Sequence, residues 1–295
     1  MNALRVQGMI FSAAAVLATA ATATFGRFDE GTELVVLAVL IIVIGVPHGA
    51  LDTTFARRLY DLRTARGWIG FALAYLALGA LVVGVWRLAP ILFITGFLVI
   101  SAAHFSGDPP AGTPVLCRIL YGGAIIILPT LLHAQEVMRL FSLLVGADAA
   151  GPVVRCLRLL AWPWLTGIAI AAVCRAGPGW QNGLETASVG LLAVVAPPLV
   201  AFTVFFCGMH SVRHILRTID YSGQTLARVL LAGAGPMLAV LVMSAASWHR
   251  FHDIPLDTRV IQLVFVGLAA LTVPHMALVE RVRLSGWARP PYSRP

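Results

Sequence analysis

The chain has no lysine: its 21 basic residues are all arginine, set against 13 acids, and charged residues fill only 12% of its 295 positions. The missing lysine excludes any function that needs a lysine Schiff base, a retinal-binding rhodopsin among them. The scarcity of charge excludes a soluble domain, which would carry about a quarter charged residues. Cysteine is scarce too. Cys117, Cys156, Cys174 and Cys207 show no paired spacing, so neither a disulfide framework nor a zinc site is expected. What fills the chain is apolar: 59% of residues are hydrophobic and mean hydropathy is +0.88.

Apolar runs of about 20 residues recur from end to end, each long enough to cross a hydrocarbon core of roughly 30 Å. The expected fold is all-α, a polytopic transmembrane helical bundle forming a single integral membrane domain over residues 1–295. Spans are expected near 8–26, 33–55, 68–87, 90–107, 117–135, 153–174, 184–197, 199–218, 228–247 and 259–280. Trp68, Trp86 and Trp248 sit at run ends, where an interfacial belt places them. Residues 136–150 read as a short surface segment. Residues 1–26 have the outline of a signal peptide, with Arg5, an apolar stretch and Ala-Thr-Ala at 21–23. With so many spans following, an uncleaved first helix is the better reading.

The stretch from Leu184 to Ile219 is long for one crossing and short for two, and Pro197-Pro198 interrupts it. Charge favours two. Arg57, Arg58, Arg63 and Arg66 follow the second span, and Arg281, Arg283, Arg289 and Arg294 follow the last. Both groups lie inside only if an even number of spans separates them. Two crossings give about ten spans with both termini cytoplasmic. Arg155 and Arg158 point mildly the other way. The net charge of +8 is then a topological signal of a multi-pass protein in the cytoplasmic (inner) membrane, and no nucleic-acid partner is expected.

There are eight histidines. In this topology His48, His104, His210, His214 and His275 share the cytoplasmic halves of four even-numbered helices. His133, His249 and His252 fall on the outer side and read as bystanders. His210 and His214 are four residues apart on one helix face, a usual spacing for two ligands of one metal. Each lone histidine also has a bland reading as an interhelical hydrogen bond. Asp52 and Asp108 lie four residues after His48 and His104, close enough to take a ring N–H and fix a tautomer. They could equally be ordinary helix-end residues. Arg213 is expected to anchor at the cytoplasmic interface.

An all-imidazole set suits Zn, Cu, Fe or Ni. No spare cysteine or intramembrane glutamate is at hand to complete a hydrolytic site. Phe105, Phe202, Phe205 and Phe206 surround the histidines in sequence, so a lipid-soluble substrate and oxygen or redox chemistry fit. Phe105, Phe202 and Phe206 are candidates for a substrate tunnel, though filler facing lipid is the plainer role for any one of them. A metal or proton transporter with a histidine relay is an alternative. So is a di-iron membrane desaturase, although that chemistry calls for more clustered histidines.

Gly45-Val-Pro-His48-Gly-Ala-Leu-Asp52, Ser101-Ala-Ala-His104-Phe105, His210-Ser-Val-Arg-His214 and Pro274-His275 resemble the signature segments of the Brp/Blh beta-carotene 15,15'-dioxygenases, membrane enzymes associated with microbial rhodopsins. The resemblance covers roughly residues 33–280. It implies an Fe2+ enzyme that splits the central double bond of beta-carotene, or another apolar polyene, with dioxygen to give retinal. It implies His48, His104, His210 and His214 as iron ligands, with His275, Asp52 and Asp108 in support. A retinal-accepting protein is an implied partner. The first helix, residues 136–185, the Ser106-Gly-Asp-Pro-Pro run and the arginine-rich tail lie outside what the resemblance explains.

Overall fold

A computed structural model describes residues 3–26, 30–174 and 180–284; Arg289 and Arg294 lie outside the described residues. Among these, every regular element is helical. We number the helices α1 Ala3–Phe25, α2 Gly31–Leu59, α3 Ala65–Leu88, α4 Pro90–Phe105, α5 Val115–Thr130, α6 Ala134–Val145, α7 Ala147–Cys174, α8 Trp180–Val195, α9 Pro198–Ser222, α10 Leu226–Arg250 and α11 Leu256–Val282. A helix occupies each of the ten expected stretches. Seven of them (α1, α2, α3, α7, α9, α10 and α11) are long and apolar enough to cross a membrane. α4 and α8 have 16 residues each, roughly 24 Å at 1.5 Å per residue.

Burial sorts the helices into centre and rim. α3 buries none of its residues, as a lipid-facing helix should. In α9 more than half of the apolar window is buried. The reason lies in its side chains: a helix carrying His210, Arg213, His214 and Arg217 cannot turn them to hydrocarbon at tolerable cost. α2, with buried His48 and Asp52, packs beside it, and buried His275 of α11 meets His214.

Residues 184–219 form two helices that reverse direction. Arg213 Nη1 lies 3.0 Å from Glu185 Oε2, although 28 residues separate them in sequence. A straight helix would hold them roughly 42 Å apart. The chain therefore reverses at Pro197-Pro198, and α8 and α9 form a hairpin. Pro198 starts the second arm at a first-turn position, where its missing N–H costs nothing.

Two expectations change. Residues 134–145 are more than a surface segment: α6 turns by 101° from α5 and buries Val137, Leu140 and Leu144 against the core. Arg213 is no interfacial anchor. It is 2% exposed and bonded to Glu185, which is itself buried in α8. α1 proves to be an integral part of the bundle, lying along α8 and α9 with Phe11 and Ala15 fully buried.

α1 approaches so closely because Gly8 has no side chain. A Cβ there would collide with Glu185 Oε1 and meet Arg213 Nη2 at 3.0 Å. Gly8→Ala should therefore pry the buried ion pair apart and destabilise the protein by about 3 kcal/mol, the usual scale for breaking such a pair. Gly70→Ala in α3, where nothing lies within 4 Å, should be neutral or stabilising. Thermal melts of the two variants in detergent micelles check this. An unchanged Gly8→Ala melt would mean that α1 is not part of the mature fold.

Candidate metal centre

The site begins with two departures from regular helix. In α2, residues Ile41–Gly45 form a π-helical turn just before Pro47. Pro47 has no N–H to give, and Gly49 N donates to Val46 O instead of Gly45 O. The Gly45 carbonyl is left to side chains: Ser211 Oγ donates to it at 3.1 Å and His48 Nδ1 lies 2.5 Å away. In α9, residues Val204–Ser211 form a second π-helical stretch that carries His210. There the Gln7 side chain from α1 donates to Gly208 O at 2.8 Å and Met209 O at 3.3 Å. Wide turns of this kind free carbonyls that a regular helix would use, and they are frequent at functional sites.

Four helices bring five histidines together: His48 from α2, His104 from α4, His210 and His214 from α9, and His275 from α11. All five are buried. Six of their ring-centre separations fall between 4.5 and 5.5 Å. His210 and His214 lie 6.5 Å apart, stacked along one helix face. Ring nitrogens of His48, His104 and His275 stand within 4.8 Å of one another. His133, His249 and His252 take no part. His133 bonds Val195 O at 3.0 Å, and His252 is exposed beside Asp253.

The outward nitrogens of three rings are spoken for. His210 Nδ1 lies 3.1 Å from both oxygens of Asp108. His275 Nδ1 lies 2.6 Å from Asp52 Oδ1, and Asp52 Oδ2 accepts from Tyr75 OH at 2.9 Å. His48 Nδ1 has Gly45 O and Ser211 Oγ. An Nδ1–H given to a carboxylate or carbonyl leaves the Nε2 lone pair free to face inward. The Nε2 atoms of His104, His210 and His275 are buried and make no hydrogen bond. Buried polar atoms are rarely left so. A divalent cation that prefers imidazole accounts for them, so the residues fit a metal.

The expected aspartates are in the site but serve other partners than their sequence neighbours. Asp52 holds His275 rather than His48, and Asp108 holds His210 rather than His104. His275, expected in support, stands among the candidate donors. Glu185, buried in the membrane bundle, is not spare: both its oxygens are bonded to Arg213. Tyr75, Ser211 and Gln7 did not emerge from the sequence. Their signal was faint, a single hydroxyl or amide in an apolar run, and any such group has to find a partner in lipid.

Of the tunnel candidates, Phe105 and Phe202 line an apolar cavity of about 90 Å³ that reaches outward to Leu140 and Leu144 of α6. Phe206 lines a second space of about 20 Å³ together with His48 and His275. Phe202, Phe206 and His210 stack in a column, with ring centres 5.2 and 5.8 Å apart. Phe206 fits against α2 because Gly45 has no Cβ to meet its ring. Phe205 is fully buried against Phe105 and Tyr121 and lines neither space.

A family profile for beta-carotene 15,15'-dioxygenase matches residues 39–282, which include all five clustered histidines. The chain belongs to that family. It is similar to the beta-carotene 15,15'-dioxygenase of an uncultured marine bacterium (66A03), with 30% identity over 257 residues, 82% of this chain and 90% of that one. It is also similar to the probable beta-carotene 15,15'-dioxygenase Blh of Halobacterium salinarum, with 28% identity, covering 81% of each. No solved structure matches the chain. Family membership thus makes this chain a carotenoid-cleaving dioxygenase, and α1 falls outside the matched region.

Asp52→Asn keeps the size of the side chain but offers His275 an amide in place of a carboxylate. Loss of such an outer partner typically costs 10–100-fold in metal affinity. Competition with a chelator, followed by metal analysis of the purified protein, should show about that loss. Tyr75→Phe, which removes only the hydroxyl behind Asp52, should cost less.

Proposed function

We propose that this chain cleaves the central double bond of beta-carotene, or of a closely related carotenoid, with dioxygen to give retinal. The observation that carries this reading is the set of buried, unbonded imidazole nitrogens beside an apolar cavity in a membrane bundle. His48, His104, His210 and His214 would hold Fe2+, with His275 as a fifth candidate donor. When bound, the iron would supply the oxygen chemistry that no side chain here performs.

The residues of the chain do the rest. Asp52, Asp108 and the Gly45 carbonyl orient the imidazoles. The phenylalanines around His210 keep water from the centre, and the apolar cavity between α4, α6 and α9 takes one arm of the polyene. Small-molecule pockets usually enclose roughly 300–1,000 Å³, so these small spaces must widen to admit a C40 chain. Phe202 and Phe206 stand between the two spaces and are the side chains placed to move. The substrate would enter laterally from the bilayer, as its partition into lipid demands. The protein would reside in the cytoplasmic membrane with the arginine-rich 57–66 loop inside, and would hand retinal to an acceptor protein in the same membrane.

Expression in a beta-carotene-producing bacterium should bleach the pigment and yield retinal by chromatography. His210→Ala should abolish turnover, at least a thousandfold, while the protein still inserts. Unchanged carotene under aerobic, iron-replete conditions overturns the reading. Metal analysis of the purified protein should find one iron per chain; two would point to a di-iron enzyme.

A further inference from the structure

The loop from Ser106 to Pro110 joins α4 to α5 and delivers Asp108 to His210. Its sequence, Ser-Gly-Asp-Pro-Pro, gives it little backbone structure of its own, since Pro109 and Pro110 have no N–H. Yet its carbonyls are not idle. Arg118 Nη1 donates to Ser106 O at 3.0 Å, and Arg118 Nη2 to Pro109 O and Pro110 O at 3.3 and 3.2 Å. Arg217 spans Gly107 O at 2.9 Å and Asp108 O at 2.7 Å. Arg213 Nη1 adds a second bond to Asp108 O at 3.2 Å. Five successive carbonyls are thus held by three guanidinium groups.

Burying Arg213 here is expensive, and a buried ion pair seldom repays its desolvation in stability. Arg213 is matched by Glu185, and Asp108 lies near Arg217. The arrangement is also anchored from outside. Arg213 is gripped by both oxygens of Glu185 and gives its Nε–H to Gln7 Oε1 at 2.9 Å. Gln7 in turn binds the carbonyls of the π-helical stretch that carries His210. The two ends of the Asp108–His210 contact, the loop and the π-helix, are therefore held by one connected network.

We infer that Arg217 and Arg213 are positioning residues for the metal centre. They fix the loop backbone so that the Asp108 carboxylate meets His210 Nδ1 and holds the ring with Nε2 inward. α1 completes the clamp through Gln7. The arginines touch neither metal nor substrate and act only through Asp108 and the π-helix. This rests on the metal-centre reading above.

Arg217 is the residue to test, because it bridges two carbonyls without the Glu185 pair that Arg213 also supports. The full chain in detergent micelles would be titrated with Fe2+ and with Co2+, whose visible absorption reports ligand geometry. Arg217→Gln should weaken both metals about tenfold, the lower end for loss of an outer partner, and should shift the Co2+ bands. Arg217→Lys, which keeps the charge but can reach only one carbonyl well, should recover part of the affinity. Asp108→Asn should weaken binding at least as much, and Arg217→Gln added to it should change affinity less than twofold, since the clamp works through Asp108.

Wild-type affinity and Co2+ spectrum in Arg217→Gln overturn the clamp, even if the melting temperature drops. So does full additivity of the double variant. A wild-type chain that binds neither metal overturns the metal reading, and this inference with it. The two failures are told apart by the wild-type titration alone.

Discussion

An imidazole has two ring nitrogens, and away from water each must have an assigned partner. That constraint organises this protein. Five such rings lie in one place inside a membrane bundle, and three have Nδ1 committed outward to Asp52, Asp108 or the Gly45 carbonyl. Only then can the second nitrogens face a common centre. The irregular backbone of α2 and α9 follows from the same need, because a regular helix would have kept the Gly45 carbonyl for itself. Buried polar networks of this kind tolerate few half-measures, since an unmatched group in a low-dielectric core costs far more than in water.

Much of this was legible in the sequence. Ten apolar runs are read as about ten spans; a helix stands in each, and seven of those helices are long and apolar enough to cross a membrane. The five histidines that the sequence reading groups together are the five that meet. The break read at Pro197-Pro198 is a reversal between two helices, joined by the Arg213–Glu185 pair. What stayed hidden was pairing across helices. Spacing shows Asp52 near His48 along one chain segment, but not that a partner from α11 lies closer. The role of Arg213 was misread for the same reason. Its position near a helix end suggests an interface, and only Glu185, 28 residues away, reveals a buried pair. An unaccompanied acid and an unaccompanied base in neighbouring apolar runs are the signal that would have found it.

The histidines and the rim of the bundle fall on different helices. α3 and α10 lie at the rim, with α3 sending Tyr75 inward to Asp52, whereas α2, α4, α9 and α11 carry the histidines. α6 folds down at 101° to cap the apolar cavity with Leu140 and Leu144. α4 and α9 do double duty, carrying both clustered histidines and the phenylalanines that line the apolar cavity. The family match begins at residue 39, after α1, yet α1 reaches the centre through Gln7.

That reach has a cost in time. Gln7 and the Gly208 carbonyl it binds are 201 residues apart. At a synthesis rate of 5–20 residues per second, α1 waits roughly 10–40 seconds for its partner helix to be made. Through that interval the Gln7 amide has neither the π-helix nor Arg213 to bond, in a medium that offers no water. α1 must meanwhile lie shallow in the bilayer, borrow a neighbour, or be held by the insertion machinery. The tempo of assembly, as much as the finished packing, is therefore written into the second turn of this helix.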